Sequence, residues 1–232
     1  MSYQQDSRLV LNAGAAVGPQ IYRILRERII SNDILPGARI VEPQISAEFS
    51  VSRQPVREAL IKLSVEGLVE VRPQRGTFVR KIAVPEVLDA LFVREAIEAD
   101  IVKELANARL PELAGELRGQ LAEQQIAAVN NPRRFMELDE RFHRTLAEAA
   151  GKIYARNLIE SVKAQMDRVR YFFVHRYPME VFVEQHGAIA DAIAAGNAEG
   201  AEKAMRAHLR HNLQNLPAIA ASNPEFFEPA DR

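Results

Sequence analysis

At 232 residues, 47% hydrophobic and 26% charged, the chain is long enough to bury a core in one or two domains, and its balance argues against disorder. It has no cysteine, which excludes disulfides, thiolate metal sites and a cysteine nucleophile. No apolar run approaches the roughly 18 to 20 residues of a membrane span. The opening MSYQQDSRLVLNAGAAVG lacks the charged start and long apolar stretch of a secretory signal, so a cytoplasmic protein with no membrane partner is expected.

The net charge of -1 hides an asymmetry. Residues 1–82 carry 12 Lys/Arg against 8 Asp/Glu, the remaining 150 carry 18 against 23, and all five histidines lie in that second part. Two modules with different partners follow from this division.

In the first module, PQIYRILRERIISN places Ile21, Ile24, Leu25 and Ile29 at helical spacing behind Pro19, and Pro36-Gly37 then breaks the helix. A short helix EPQISAEF follows, with Ile45 and Phe49 inward. The tight turn SVS leads into RQPVREALIKLSVEG, with Ser52 at the N-cap, Pro55 in the first turn and Gly67 at the stop. Val56, Ala59, Leu60 and Leu63 form its buried face. LVEV and TFVRK, joined by RPQRG, read as a hairpin.

Helix, short helix, turn, helix and hairpin is the order of a winged helix-turn-helix. Arg53, Gln54 and Arg57 stand at the exposed start of the third helix, where a recognition helix meets base edges. Arginine suits guanine and glutamine suits adenine in the major groove. Arg72 and Arg75 flank the hairpin tip, and Gly76 allows close backbone approach to a groove or phosphate.

The second module reads as six helices with no intervening strand signal. They begin near Pro85, Pro111, Pro132, Ile153, Met179 and Asn197, with stops at Gly151, Pro178 and Gly196. The expected fold is mostly α: an N-terminal winged helix-turn-helix plus a C-terminal antiparallel all-α six-helix bundle. The expected domains are a flexible arm (1–18), a DNA-binding domain (19–81), a helical metal- and effector-binding domain (84–215) and a C-terminal tail (216–232).

FMELDERFHRTLAEAA (135–150) carries an apolar stripe of Phe135, Leu138, Phe142, Leu146 and Ala149, yet Asp139 and His143 sit on the edge of the same face. A buried unpaired charge is expensive, so the pair needs a partner. His186 shares a stripe with Phe182, Ile189 and Ile193, and His208 shares one with Ala201, Met205 and Asn212. A lone inward histidine is usually a satisfied core residue. Three of them with a carboxylate, on three helices of one bundle, make an N3O set suited to zinc, nickel, iron or manganese. His211, one turn beyond His208, is the rival ligand, and His175 sits near a helix end, toward solvent.

VSRQPVREALIKLSVEGLVEVRPQRGTFV (51–79) resembles the DNA-binding signature of GntR-type bacterial transcription regulators. By that resemblance Arg53, Gln54, Arg57 and Gly76 match positions that touch DNA. Pro43 departs from the pattern, standing near where some members carry a DNA-contacting arginine. The second module resembles the helical effector-binding domain of the FadR-type branch, and six helices suggest its VanR-like subgroup. There an Asp-x3-His and two later histidines hold a metal, which falls on Asp139, His143, His186 and His208. The resemblance further implies a small carboxylate effector beside one divalent ion, with Arg94 near the pocket. Glu98, one turn from Arg94, makes an intrahelical ion pair the competing account.

The expected function is a transcriptional repressor that binds a palindromic operator as a homodimer and answers to a carboxylate at a metal site, with zinc the first choice of ion. A metal-only regulator is the alternative. A metal-dependent hydrolase is disfavoured because no nucleophile motif accompanies the set and helical phase turns Glu140 about 100° from Asp139. No catalytic residue is assigned.

Overall fold

Helix α1 (Val17–Ile30) buries Ile21, Leu25 and Ile29 against α3 (Arg53–Val65), whose inward face is the expected Val56, Ala59, Leu60 and Leu63. The computed structural model describes residues 11–12, 14–173, 178–211 and 213–229. The start of the expected arm, through residue 10, and His175 and Asn212 lie outside the described residues.

Between α1 and α3 come strand β1 (Arg39–Ile40) and helix α2 (Glu42–Glu48). Strands β2 (Val69–Arg72) and β3 (Gly76–Val79) form the expected hairpin, with Val71 opposite Thr77 and Arg72 opposite Gly76. The hairpin is widened by β1, which pairs antiparallel with β3 through Ile40 and Thr77, giving the order β1-β3-β2. Two residues are too short to show alternation, so β1 leaves no sequence signal. Gly76 has φ +106, and a Cβ there would stand 3.2 Å from Arg39 Nε. Only glycine meets both demands cheaply.

The turn before α3 departs from expectation. Ser52 occupies the N-cap position, but its side chain makes no capping bond. The turn is closed by backbone instead: Val51 N donates to Ser46 O at 2.9 Å, with Ser50 in the left-handed region at φ 53.

The chain divides into two units, one of residues up to Ala83 together with those from Ser222 onward, the other Val84–Ala221. The end of the chain therefore belongs with the DNA-binding unit. Ile82 N donates to Phe226 O and Glu228 N donates to Ile82 O, both at 2.9 Å. Arg80 pairs with Glu228 at 3.0 Å, and Phe227 is buried.

The second unit is built from α4 (Val84–Ala108), α5 (Pro111–Asn130), α6 (Pro132–Ala149), α7 (Ile153–Val162), α8 (Ala164–Phe173), α9 (Glu180–Ala194), α10 (Ala198–His211) and α11 (Leu216–Ser222). The fourth expected helix is thus split at Lys163 into α7 and α8, and α11 is additional. Helix α4 packs on α9 and α10, and α5 packs on α6 and α9. Their core includes Val102, Leu117, Phe142, Ile189 and Met205. The caps follow the sequence: Asn131 accepts from Arg134 N at 3.0 Å to start α6, and Asn197 accepts from Gly200 N at 2.9 Å to start α10. Gly151 and Gly196 take positive φ at the stops.

Phe227→Ala is expected to cost the DNA-binding unit about 3 kcal/mol, as for other buried phenylalanines. Removing the chain after Ala221 should expose the Ile82 amide to fast hydrogen exchange. Unchanged protection at Ile82 in the truncated protein would contradict this.

Candidate metal centre and nucleic-acid interface

Asp139 and His143 lie one turn apart on α6, His186 on α9 and His208 on α10, and one ligand atom from each falls within 4.8 Å of all the others. Asp139, His186 and His208 are 0% exposed and His143 is 8% exposed. His143 Nε2 is 3.2 Å from His208 Nε2, His186 Nε2 is 3.3 Å from His208 Nε2, and Asp139 Oδ1 is 3.5 Å from His186 Nε2. Donors held about 2.0–2.2 Å from one ion stand roughly 3 to 4.4 Å apart, so these spacings fit a single cation.

The far side of each imidazole explains why the Nε2 atoms converge. His186 Nδ1 donates to Gln124 Oε1 at 2.7 Å, and His208 Nδ1 donates to Gln185 Oε1 at 3.0 Å. The Gln124 amide is itself oriented by Nε2 donating to Leu138 O at 3.3 Å. Glu98 Oε2 lies 2.5 Å from His143 Nδ1. With protons assigned to the Nδ1 atoms of His186 and His208 by these acceptors, their Nε2 atoms present lone pairs to the centre. Asp139 Oδ1 is buried and has no hydrogen-bond partner, while Oδ2 accepts from Arg170 at 2.7 Å. The Nε2 atoms of His186 and His208 and Oδ1 of Asp139 face the centre as acceptors. That arrangement fits a cation.

Electrostatics agree with that state. Burial pushes the His186 imidazole down to about 3 and His208 well below its ordinary value, so both are neutral ligands. Burial opposes ionisation of Asp139, but Arg170 and the histidines outweigh it and hold the carboxyl below the usual range. His211 is only partly buried, its ring 5.5 Å from Phe182, and it is not in the cluster.

Beside His143 lies a small cleft lined by Arg94, Glu98, Glu140, Arg156, Glu160 and Lys163 among others. Arg94 is buried, and its Nε donates to Glu98 Oε1 at 2.6 Å. Arg94 thus forms the intrahelical pair with Glu98 and also lines this cleft. Glu140, turned away from Asp139 as helical phase demands, accepts from Lys163 at 2.5 Å.

In the first unit, Arg53, Gln54, Arg57 and Arg75 are exposed. Arg57 Nε pairs with Glu42 at 2.9 Å, and Gln54 donates to Glu58 at 3.1 Å. Arg72 turns from the wing tip to pair with Glu70 at 2.6 Å and to cover the Phe78 ring at 4.6 Å. Sequence reasoning missed Arg39, which sits against Gly76, and also missed Arg170, Gln124 and Gln185 around the centre. Only proximity in the fold links these residues to the sites.

Residues 18–79 match the family described as bacterial regulatory proteins, gntR family, and residues 89–211 match the FCD domain. The chain is 39% identical to the HTH-type transcriptional repressor RspR of Escherichia coli over 94% of this chain and 96% of that protein. It is 30% identical to a D-xylose utilization operon transcriptional repressor of Paenarthrobacter nicotinovorans over 89% and 90% of the two chains. Among solved structures, a GntR regulator from Rhodococcus sp. RHA1 shares 29% identity and a TM-score of 0.70, covering 87% of this chain and 98% of that one. Escherichia coli McbR/YncC shares the fold, with a TM-score of 0.75 at 17% identity over 90% and 99% of the two chains. With its helix-turn-helix head and its FCD domain both matched, this chain belongs to the GntR family of bacterial transcriptional regulators.

Proposed function

We propose that this regulator represses transcription as a homodimer on a palindromic operator and is controlled by a small carboxylate at a divalent metal held by Asp139, His143, His186 and His208. The observation that carries the metal reading is the convergence of His143 and two Nδ1-anchored imidazoles, His186 and His208, on the unpartnered Asp139 Oδ1. Bound there, the ion supplies a buried positive charge able to take an acid oxygen as a further ligand. Zinc suits the donors first, and nickel, manganese or iron follow availability. The cleft lined by Arg94 beside His143 favours an organic effector over a metal-only response.

One recognition helix per chain supports a two-fold protein on two half-sites. Leu88 and Phe92, one turn apart on α4, remain 49% and 74% exposed, an apolar face that suits a second copy. On DNA, Arg53, Gln54 and Arg57 read base edges while Arg75 and Gly76 bring the wing to the backbone. Among the described residues no helix is long and apolar enough to cross a membrane, which agrees with a cytoplasmic role.

His208→Ala should lose the metal and the effector response yet keep basal operator binding, whereas His211→Ala should keep all three. Metal analysis of the purified variants decides between them, and full occupancy in the His208 variant would refute the ligand set. Arg57→Ala should weaken operator binding by about 1 to 3 kcal/mol at fixed salt if the guanidinium reads a base. Titrating metal and small acids separately against operator binding separates the effector reading from the metal-only one.

A further inference from the structure

We infer that Arg39, on β1, is a phosphate-binding residue of the wing, contributed by a strand outside the hairpin and seated on Gly76. The inference rests on the reading above in which Arg75 and Gly76 bring the wing to the DNA backbone, and it adds a contact that reading does not contain.

The three-stranded sheet has two unlike faces. Directly opposed residues share a face, and successive residues alternate between faces. Ile40, Thr77, Val69 and Val79 belong to the inner face and are buried. Arg39, Phe78 and Glu70 oppose one another on the outer face, and alternation adds Arg72 and Gly76 to it. Of these five residues two are cations and one is an anion.

The anion is already taken. Arg72 donates to Glu70 Oε1 through Nε at 2.9 Å and through a terminal nitrogen at 2.6 Å, and it covers the Phe78 ring at 4.6 Å. Arg39 is exposed, and among the described residues its guanidinium has no carboxylate partner. Its head group is nonetheless placed. Arg39 stands opposite Phe78, yet its guanidinium lies over Gly76, two residues nearer the wing tip. A Cβ on Gly76 would meet Nε at 3.2 Å, Nη2 at 3.4 Å and Cζ at 3.7 Å. The bare glycine is therefore a seat for the guanidinium as well as a point of close backbone approach.

Two cations thus meet at Gly76: Arg75 along the chain and Arg39 across the sheet. A planar guanidinium with donors to spare matches the paired oxygens of a phosphate. Seated against the sheet, the head group does not extend into a groove to read a base edge. A DNA backbone laid on the wing comes to it instead. The hairpin sequence alone gives no sign of this contact, because Arg39 arrives through the pairing of β1 with β3.

The test measures binding of the full-length protein across a salt series to two short duplexes, one selected from a random library by the wild-type protein and one scrambled from it. Arg39→Gln should weaken binding several-fold on both. It should also make the slope of log affinity against log salt shallower by about 0.9, the counterion release of one phosphate contact. Arg39→Lys, which keeps the charge, should keep most of the slope. A slope, unlike a single affinity, does not change when part of the protein is inactive. An unchanged slope in Arg39→Gln overturns the inference, and so does a slope flattened equally in Arg39→Lys. A loss confined to the selected duplex overturns it as well, because that pattern marks a base contact. Arg75→Ala separates the two readings: if it flattens the slope and Arg39→Gln does not, the inference fails and the wing reading stands. If neither flattens it, both fall.

Discussion

Asp139, His143, His186 and His208 bring four potential ligand atoms within 4.8 Å of one another inside the helical unit, and the rest of that unit is arranged around this constraint. The ligands come from α6, α9 and α10, and the groups that orient them come from α4 (Glu98), α5 (Gln124), α8 (Arg170) and α9 (Gln185). Six helices are thus referred to one point. Without a cation the cluster is an array of buried acceptors, which is costly. With one, the neutral imidazoles of His186 and His208 and the ionised Asp139 would gain the partner they lack. Phe142, stacked on the His186 ring at 4.3 Å, and Met205 beside His208 on α10 join the centre to the apolar core. Filling the centre and packing the bundle are therefore one problem.

Much of this was legible because α6 breaks a rule in the open. A clean apolar stripe that includes Asp139 and His143 asks for a partner, and helical phase nominates His186 and His208 while leaving His211, one turn on, as the rival ligand. Proline starts and glycine stops marked the helices well because they act through local backbone chemistry. The missing parts depend on distance in space. Gln124 and Gln185 read as ordinary polar helix residues, and Arg170 reads as a surface arginine until α8 turns it onto Asp139. The break at Lys163 follows no proline or glycine; the lysine is buried there among Glu140, Glu160 and Asp167. Likewise the partner of Ile82 is Phe227, far along the chain, and no local pattern announces such a pairing.

The DNA-binding unit shows the same division between local and non-local signals. The order of its elements was readable, and so was the face of α3 that carries Arg53, Gln54 and Arg57. The Glu42 carboxylate on Arg57 was not. Since Arg57 is 59% exposed, that pair is a weak surface contact of about 0 to 1 kcal/mol and no barrier to exchange for a base or phosphate.

The two chemistries of the helical unit share a wire. Glu98 uses one oxygen on Arg94, which lines the cleft, and the other on His143, which belongs to the metal set. The Arg94 guanidinium keeps Glu98 ionised against its burial, and the second oxygen of that carboxylate stands 2.5 Å from His143 Nδ1. An acid that draws Arg94 away from Glu98 therefore changes the carboxylate that orients a metal ligand. If the acid strengthens the grip on the ion, the ion must strengthen the grip on the acid by the same factor, because linked binding free energies are reciprocal.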